Sequence, residues 1–225
     1  MDRPMWIAAY RVFFALLTVG TIIFLLIHNS RWVPGFDIAN FFSFFTIQSN
    51  LFAVAVLLAG ALGLGDRWRP GLADLLRGAA VVYMATTGVV YGLLLVGYTE
   101  QLDTNVVWAD TVVHRVMPIV LVADWLIAPP RTRLTVRRAL PWLWYPLLFV
   151  VYSLLRGPLA GWYPYPFLDP GQAGGYAAVA AYCLGITLFI VLMTWATVTI
   201  GTTQRRFRQA GPSRPGAPGD IEQMV

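Results

Sequence analysis

The chain has 225 residues and a net charge of +5, and its composition is 58% hydrophobic but only 12% charged. An average soluble domain carries about 25% charged residues, so a water-soluble fold of this size would lack polar groups to cover its surface. The single cysteine, Cys183, excludes a disulfide framework or a multi-cysteine metal site. The composition therefore favours an integral membrane protein.

Six apolar runs follow one another along the chain, and most reach the ~20 residues that a helix needs to cross ~30 Å of hydrocarbon. The first run follows Arg3, but it outlasts a signal-peptide core and lacks a small-residue cleavage site, which predicts an uncleaved span. The runs lie at about 6–28, 41–64, 74–98, 107–128, 138–156 and 175–200. They predict an all-α, polytopic bundle of six transmembrane helices within residues 1–202.

The arginines predict the orientation of this bundle. They concentrate before the first run, between the second and third, between the fourth and fifth, and after the sixth. Because cytoplasmic loops carry the excess of basic residues, both termini are predicted to be cytoplasmic, and the positive charge needs no nucleic acid to explain it. Residues 203–225 have little to bury and are predicted to form a disordered cytoplasmic tail.

Polar residues recur at one depth in the second and fourth predicted spans. Both spans enter from the outer side; the second contains Thr46, Gln48 and Asn50, and the fourth contains Asp110 and His114. A rise of ~1.5 Å per residue puts Thr46 and His114 both about 10 Å below the outer surface. Ionisable groups at such a depth are costly and mark functional sites by default.

Spacing within the fourth run adds detail around the histidine. Asp110 and His114 are four residues apart and share a helical face, so the carboxylate can reach the imidazole. Pro118 lacks the N–H that would bond the His114 carbonyl, which predicts a kink or a bound water beside it. Alternatively, Asp110 is only an interfacial residue favoured by the helix dipole.

These residue types fit nucleophilic acyl transfer. A threonine hydroxyl needs a neighbouring base to act as a nucleophile, and a histidine oriented by a carboxylate is the usual base. Thr46, His114 and Asp110 fill these roles if the two spans touch. Alternatively, Thr46 bonds its own i−4 carbonyl or packs between helices. The candidate donors to a developing oxyanion are Asn50, Gln48 and Arg115.

An aromatic segment lies between the fifth and sixth runs. Trp162, Tyr163 and Tyr165 alternate with Pro164 and Pro166, which makes a stiff, amphipathic stretch suited to the outer headgroup region. It is predicted either to cover an outer-leaflet cavity as a lid facing a lipid substrate or to be a plain interfacial connector. Asp169 is a candidate cap for the element that follows.

Three motifs carry a family resemblance: residues 45–50 (FTIQSN), His114 with Pro118, and residues 161–168 (GWYPYPFL). With them, the chain resembles the androgen-induced membrane protein family, and more closely a group of bacterial six-helix proteins placed near it. Animal members are membrane-embedded threonine hydrolases that cleave fatty acid esters of hydroxy fatty acids. The resemblance implies Thr46 as nucleophile, His114 as its partner, a lipid ester as substrate, and a bacterial plasma membrane as location.

Two other classes of function remain open. The chain could be a transporter or scaffold without chemistry, although it lacks the internal repeats common in transporters. It could also be a haem protein with His28 and His114 as axial ligands, since these are its two histidines. Neither a cofactor nor a metal is expected for the hydrolase, and the oligomeric state is left open.

Overall fold

The computed structural model describes residues 4–64, 69–99 and 106–209, and every regular element in these ranges is helical. Two π-helical turns, Tyr91–Leu95 and Val112–Val116, join α4 to α5 and α6 to α7, and 3-10 turns cover Leu140–Leu143 and Pro166–Leu168. In chain order the α-helices are α1 (Met5–Trp32), α2 (Ile38–Phe42), α3 (Phe45–Ala61), α4 (Pro70–Val90), α5 (Val96–Thr99), α6 (Val107–Thr111), α7 (Met117–Ile127), α8 (Val136–Ala139), α9 (Trp144–Ala160), α10 (Pro170–Ala173) and α11 (Tyr176–Gln209).

Within the described residues, four helical stretches are long and apolar enough to cross a bilayer: Met5–Trp32, Pro70–Leu95, Val136–Ala160 and Tyr176–Phe207. This confirms an all-helical fold and indicates an integral membrane protein. The α3 helix is also apolar, but its 17 residues span only about 26 Å at 1.5 Å per residue. The run predicted at 107–128 is helical but divided by the second π-helical turn.

The predicted second span is broken near its start, which changes the position of Thr46. The Asp37 side chain caps α2 by accepting a hydrogen bond from the Asn40 N–H. The Ser43 hydroxyl donates to the Ala39 carbonyl at 2.5 Å and lies 2.7 Å from the Tyr152 hydroxyl, which holds the break in place. Phe44 is extended, and α3 begins at Phe45. Thr46 therefore lies in the first turn of a helix, where the backbone N–H groups have no intrahelical acceptor.

The irregularity predicted beside Pro118 takes the form of a π-helical turn. The Met117 N–H donates to the Val112 carbonyl, five residues back, just before the proline. Gly88 of α4 lets this segment pack closely, because a Cβ there would lie 3.0 Å from the Pro118 ring and 3.3 Å from the His114 carbonyl oxygen. The backbone around His114 is thus held against the most buried of the long apolar helices.

The last helix extends beyond the predicted end of the transmembrane domain at residue 202. The α11 helix continues through Gln209, so residues 203–209 of the predicted tail are helical. Arginine and glutamine are good helix formers, and the Thr202 hydroxyl and Gln204 amide donate to the Leu134 and Leu126 carbonyls. Residues 210–225 lie outside the described part of the chain.

Candidate functional site

Thr46, His114 and Asp110 form a hydrogen-bonded chain. The Thr46 hydroxyl oxygen lies 3.1 Å from His114 Nε2, and His114 Nδ1 lies 2.9 Å from a carboxylate oxygen of Asp110. Thr46 is 6% exposed, so its hydroxyl makes the contact with His114 away from bulk water. The imidazole can take the hydroxyl proton on Nε2 while its Nδ1–H donates to the carboxylate. This is the arrangement of a nucleophile, a base and an orienting acid.

Tyr91 is a fourth member of this cluster that the sequence patterns did not single out. Its hydroxyl donates to the other carboxylate oxygen of Asp110, and its ring stacks on the His114 imidazole with the centroids 4.1 Å apart. Tyr91 begins one π-helical turn, and His114 lies inside the other. Because π-helical turns occur frequently at functional sites, the meeting of two at one ring stack is a physical marker of the site.

Tyr165 lies on the opposite side of Thr46 from this stack of rings. The Tyr165 hydroxyl oxygen accepts from the Thr46 backbone N–H at 3.2 Å and lies 3.4 Å from the Thr46 hydroxyl. Burial raises the pKa of Tyr165, so its O–H remains protonated and able to donate. Tyr165 was predicted only as a lid residue, and the structure places it in direct contact with the candidate nucleophile.

Two of the predicted oxyanion donors, Asn50 and Arg115, make other contacts in this structure. Both N–H groups of the Asn50 amide go to backbone carbonyls, those of Thr46 at 2.9 Å and Val113 at 3.1 Å. Arg115 is exposed, lies over the Tyr91 ring, and contacts the Thr111 hydroxyl at 3.4 Å. Asn50 therefore fixes α3 against the segment that carries His114, and donation from Asn50 or Arg115 to an oxyanion stays a prediction.

Gln48 also points away from Thr46, because the two side chains leave α3 on different faces. The Gln48 amide donates to the Phe42 carbonyl at 2.8 Å and accepts from the Tyr145 hydroxyl at 3.0 Å. Since Tyr145 belongs to α9, Gln48 links α3 to another helix. Its role as an oxyanion donor stays a prediction.

Two cavities meet at Thr46. One, of about 380 Å³, is lined almost entirely by apolar side chains and includes Thr46, Leu168 and Cys183. The other, of about 290 Å³, includes His114 and Asp110. Both volumes are of the size of small ligand sites or slightly below it. Their linings share Thr46, Leu95 and Tyr165, which therefore form the wall between them.

Three residues of the aromatic segment contribute to the lining of the smaller cavity: Trp162, Tyr163 and Tyr165. Trp162 packs edge-on against Phe44, directly before α3, and under the Arg156 guanidinium. Tyr163 packs over Gly157, where a Cβ would come within 2.0 Å of the tyrosine ring. The predicted cap is confirmed, because Asp169 accepts from the Gly171 N–H at the start of α10.

The two histidines have different surroundings. His28 stacks on Phe24 within α1, and its Nδ1 lies 3.4 Å from the Asn29 side-chain oxygen. His114 has both ring nitrogens bonded to protein groups, Thr46 and Asp110. An axial-ligand role for His114 would require one of these bonds to break, so the arrangement gives the haem hypothesis no support.

A second polar centre lies among α1, α4 and α7, and sequence patterns did not predict it. The Arg11 guanidinium bonds both carboxylate oxygens of Asp124, at 2.6 and 3.1 Å, and Arg77 bonds the same carboxylate at 2.8 Å. Arg11, Arg77 and Asp124 are at most 5% exposed. Arg77 is therefore a buried ion-pair partner, whereas its position at the end of a loop suggested a topology signal.

The chain was compared with protein-family models, with curated proteins and with solved structures, and none of them matches it.

Proposed function

We propose that the chain is a membrane-embedded hydrolase that cleaves fatty acyl esters by nucleophilic catalysis at Thr46. The observation that carries this proposal is the 3.1 Å contact between the Thr46 hydroxyl and His114 Nε2, continued to Asp110 at 2.9 Å. The nucleophile also lines a largely apolar cavity, which favours a lipid ester over a polar substrate.

The proton movements follow from this geometry. His114 Nε2 accepts the Thr46 hydroxyl proton as the threonine oxygen attacks the ester carbonyl carbon, and Asp110 stabilises the resulting imidazolium through Nδ1–H. The imidazolium then protonates the departing alcohol oxygen, which leaves an acyl-threonine. Water attacks this ester, His114 accepts the water proton, and the fatty acid leaves as Thr46 regains its proton.

The developing oxyanion has donors at the start of α3. The N-cap residue Phe44 provides no side-chain cap, and the Thr46 N–H donates to the Tyr165 hydroxyl at 3.2 Å. A helix N-terminus favours negative charge. When an oxyanion replaces the tyrosine oxygen as acceptor of that N–H, the Tyr165 O–H can donate to the same oxyanion, as an oxyanion hole requires.

The membrane placement is part of this proposal. Six spans with both termini cytoplasmic put Thr46 and His114 in the outer leaflet, and the α3 and α6–α7 stretches serve as the two spans that carry them. The arginine distribution supports this orientation. The resemblance of residues 45–50 and 161–168 to the androgen-induced membrane protein family supports the same chemistry, and a bacterial plasma membrane is the proposed location.

A covalent probe tests the proposal directly. An alkyl fluorophosphonate incubated with the purified, detergent-solubilised protein is expected to label Thr46, identified by mass spectrometry of the modified peptide. Thr46→Ala should abolish labelling, and Thr46→Ser should retain it because the hydroxyl remains. Thr21→Ala is a matched control, since the Thr21 hydroxyl donates to its own i−4 carbonyl, that of Leu17, at 2.8 Å, and Thr21 lines neither cavity. Labelling that survives Thr46→Ala would remove the threonine from the mechanism.

A further inference from the structure

The two cavities that meet at Thr46 differ in chemistry. The larger has a lining drawn mainly from the apolar faces of α4, α9 and α11 and from the aromatic segment. The smaller contains the ionisable members of the site, His114 and Asp110. Thr46 and Tyr165 belong to both linings. An ester whose carbonyl lies at the Thr46 hydroxyl would therefore have one substituent in each cavity.

The proposed mechanism decides which cavity holds the acyl part of the ester and which holds the alcohol part. His114 must protonate the departing alcohol oxygen, and His114 lines only the smaller cavity. The alcohol part of the ester therefore belongs on the His114 side. The acyl part, which stays attached to Thr46 after the first step, is then directed to the larger cavity.

We infer that the apolar cavity between α9 and α11 is the binding site for the acyl chain of the substrate, and that the smaller cavity holds the alcohol part. This inference rests on the proposed function. Leu147 of α9 is 52% exposed, and Thr187 of α11 is exposed; both line the larger cavity. In a helix bundle whose outer surface faces lipid, these positions open the cavity sideways to acyl chains of the bilayer.

The acyl chain is the occupant that the lining selects. A polar occupant would lose its hydration for few partners, because the hydroxyls of Thr86 and Thr187 donate to carbonyls of their own helices. Away from Thr46 and Tyr165, Thr87 supplies the one other hydroxyl of this lining, and it has no hydrogen-bond partner among the described residues. Transfer of a chain from lipid to this lining exchanges one apolar environment for another. The cavity therefore selects by shape and length, and a side chain that fills it should discriminate between acyl groups.

Cys183 allows a test of this discrimination, because it lines the cavity and is the only cysteine of the chain. Cys183→Phe is expected to lower the ratio of p-nitrophenyl dodecanoate to p-nitrophenyl acetate hydrolysis by about tenfold to a hundredfold, the range typical of a misplaced reacting carbonyl. Leu184→Phe is the matched control, since Leu184 is 61% exposed and lies outside the lining. An unchanged ratio in Cys183→Phe would overturn the assignment of the acyl chain to this cavity.

A second measurement separates acyl binding from hydrolysis. In Thr46→Ala protein, dodecanoate but not acetate is expected to slow the reaction of Cys183 with N-ethylmaleimide several-fold. The control is a cysteine moved to the lipid-facing position, Leu184→Cys with Cys183→Ser, whose labelling should not respond. Protection of Cys183 alone supports the cavity even if no ester is hydrolysed, in which case only the hydrolase proposal fails. Equal protection at both positions, or none, would overturn the acyl site.

Discussion

Two buried polar centres within the described residues are built in opposite ways. In the ion-pair centre, Arg11, Arg77 and Asp124 satisfy one another, and the arginines also bond the Gly60 and Ala128 carbonyls. In the triad centre, Thr46, His114 and Asp110 are bonded in a chain that ends at the walls of two cavities. Neither of these cavities includes a residue of the ion-pair centre.

The difference separates a structural use of buried charge from a chemical one. Arg11 and Arg77 have several acceptors each, so the ion-pair centre fixes α1, α3, α4 and α7 relative to one another, and it contributes no residue to either of the two cavities. The hydroxyl of Thr46 and the ring of His114 face space that a substrate can fill. Removing a member of the first centre should therefore act on folding, and removing a member of the second should act on chemistry.

The largest expected effect is on folding, at Asp124. Asp124→Ala leaves two buried guanidinium groups without their carboxylate and is expected to cost about 3–5 kcal/mol in the free energy of unfolding. Thermal unfolding in detergent and the yield of folded protein measure this. Replacement of Arg11, Arg77 and Asp124 by Met, Met and Leu together with Asp74→Asn should recover most of the loss, because it removes the unpaired charges. Asp74 is included because it is 4% exposed and lies 3.9 Å from Arg77. If Asp124→Ala unfolds at the same temperature as the wild type, a structural role for Asp124 is contradicted.

At the triad centre, His114→Gln is expected to lower ester hydrolysis by about 10²–10⁴-fold, the usual contribution of a general acid–base group. Its melting temperature should stay close to the wild type, because His114 lies at a cavity wall. Hydrolysis and melting temperature, measured on the same variant, separate a chemical role of His114 from a structural one. If His114→Gln unfolds the protein as strongly as Asp124→Ala does, the two centres are not different in kind.

A smaller effect on folding is expected from crowding the ion-pair centre. A Cβ at Gly60 would lie 2.9 Å from the nearest guanidinium nitrogen of Arg11, and Gly60→Ala is expected to cost about 1–3 kcal/mol, as overpacking does. Gly20→Ala is the matched control in α1, since a Cβ there meets nothing within 4 Å, and it should be neutral or stabilising. Chemical denaturation of both variants checks the difference, and equal stabilities would argue against tight packing around Arg11.

The smallest expected effect is at Tyr91. Tyr91→Phe removes the hydrogen bond to Asp110 but keeps the ring stacked on His114, so hydrolysis should fall by about threefold to tenfold, the value of one hydrogen bond. The ratio kcat/KM for a short ester measures it. Tyr91→Leu should lose more, because it also removes the stacking. If both variants match the wild type, Tyr91 is only a packing residue.

Sequence patterns predicted part of this arrangement. Helical periodicity paired Asp110 with His114, and the position along two predicted spans placed Thr46 at the depth of His114, because both inferences depend on local geometry and length. Whether the two spans touch was left open. The break at Ser43 was missed because both flanking segments are apolar, and it is fixed by a contact with distant Tyr152. Tyr91 was missed because a tyrosine in an apolar run is equally compatible with packing.

The ion-pair centre shows why contacts between distant parts of the chain could not be predicted from the sequence. Arg11 and Asp124 are 113 residues apart in sequence, and each is isolated within an apolar run, so nothing local links them. Arg77 lies just beyond the loop between the second and third predicted spans, where an arginine is also expected as a topology signal. Long-range pairing of single charges depends on which helices are neighbours, and a single sequence does not reveal that.

The continuous rod formed by α6, the second π-helical turn and α7 supports both centres, since it carries Asp110 and His114 near one end and Asp124 near the other. An α-helix advances about 100° per residue, so deleting one residue between His114 and Asp124 would rotate one end against the other by roughly that angle. One of the two sets of partners would then face the wrong way. The number of residues in this helical segment sets the rotation between its two ends. That number is therefore constrained more tightly than the identity of most side chains along the segment.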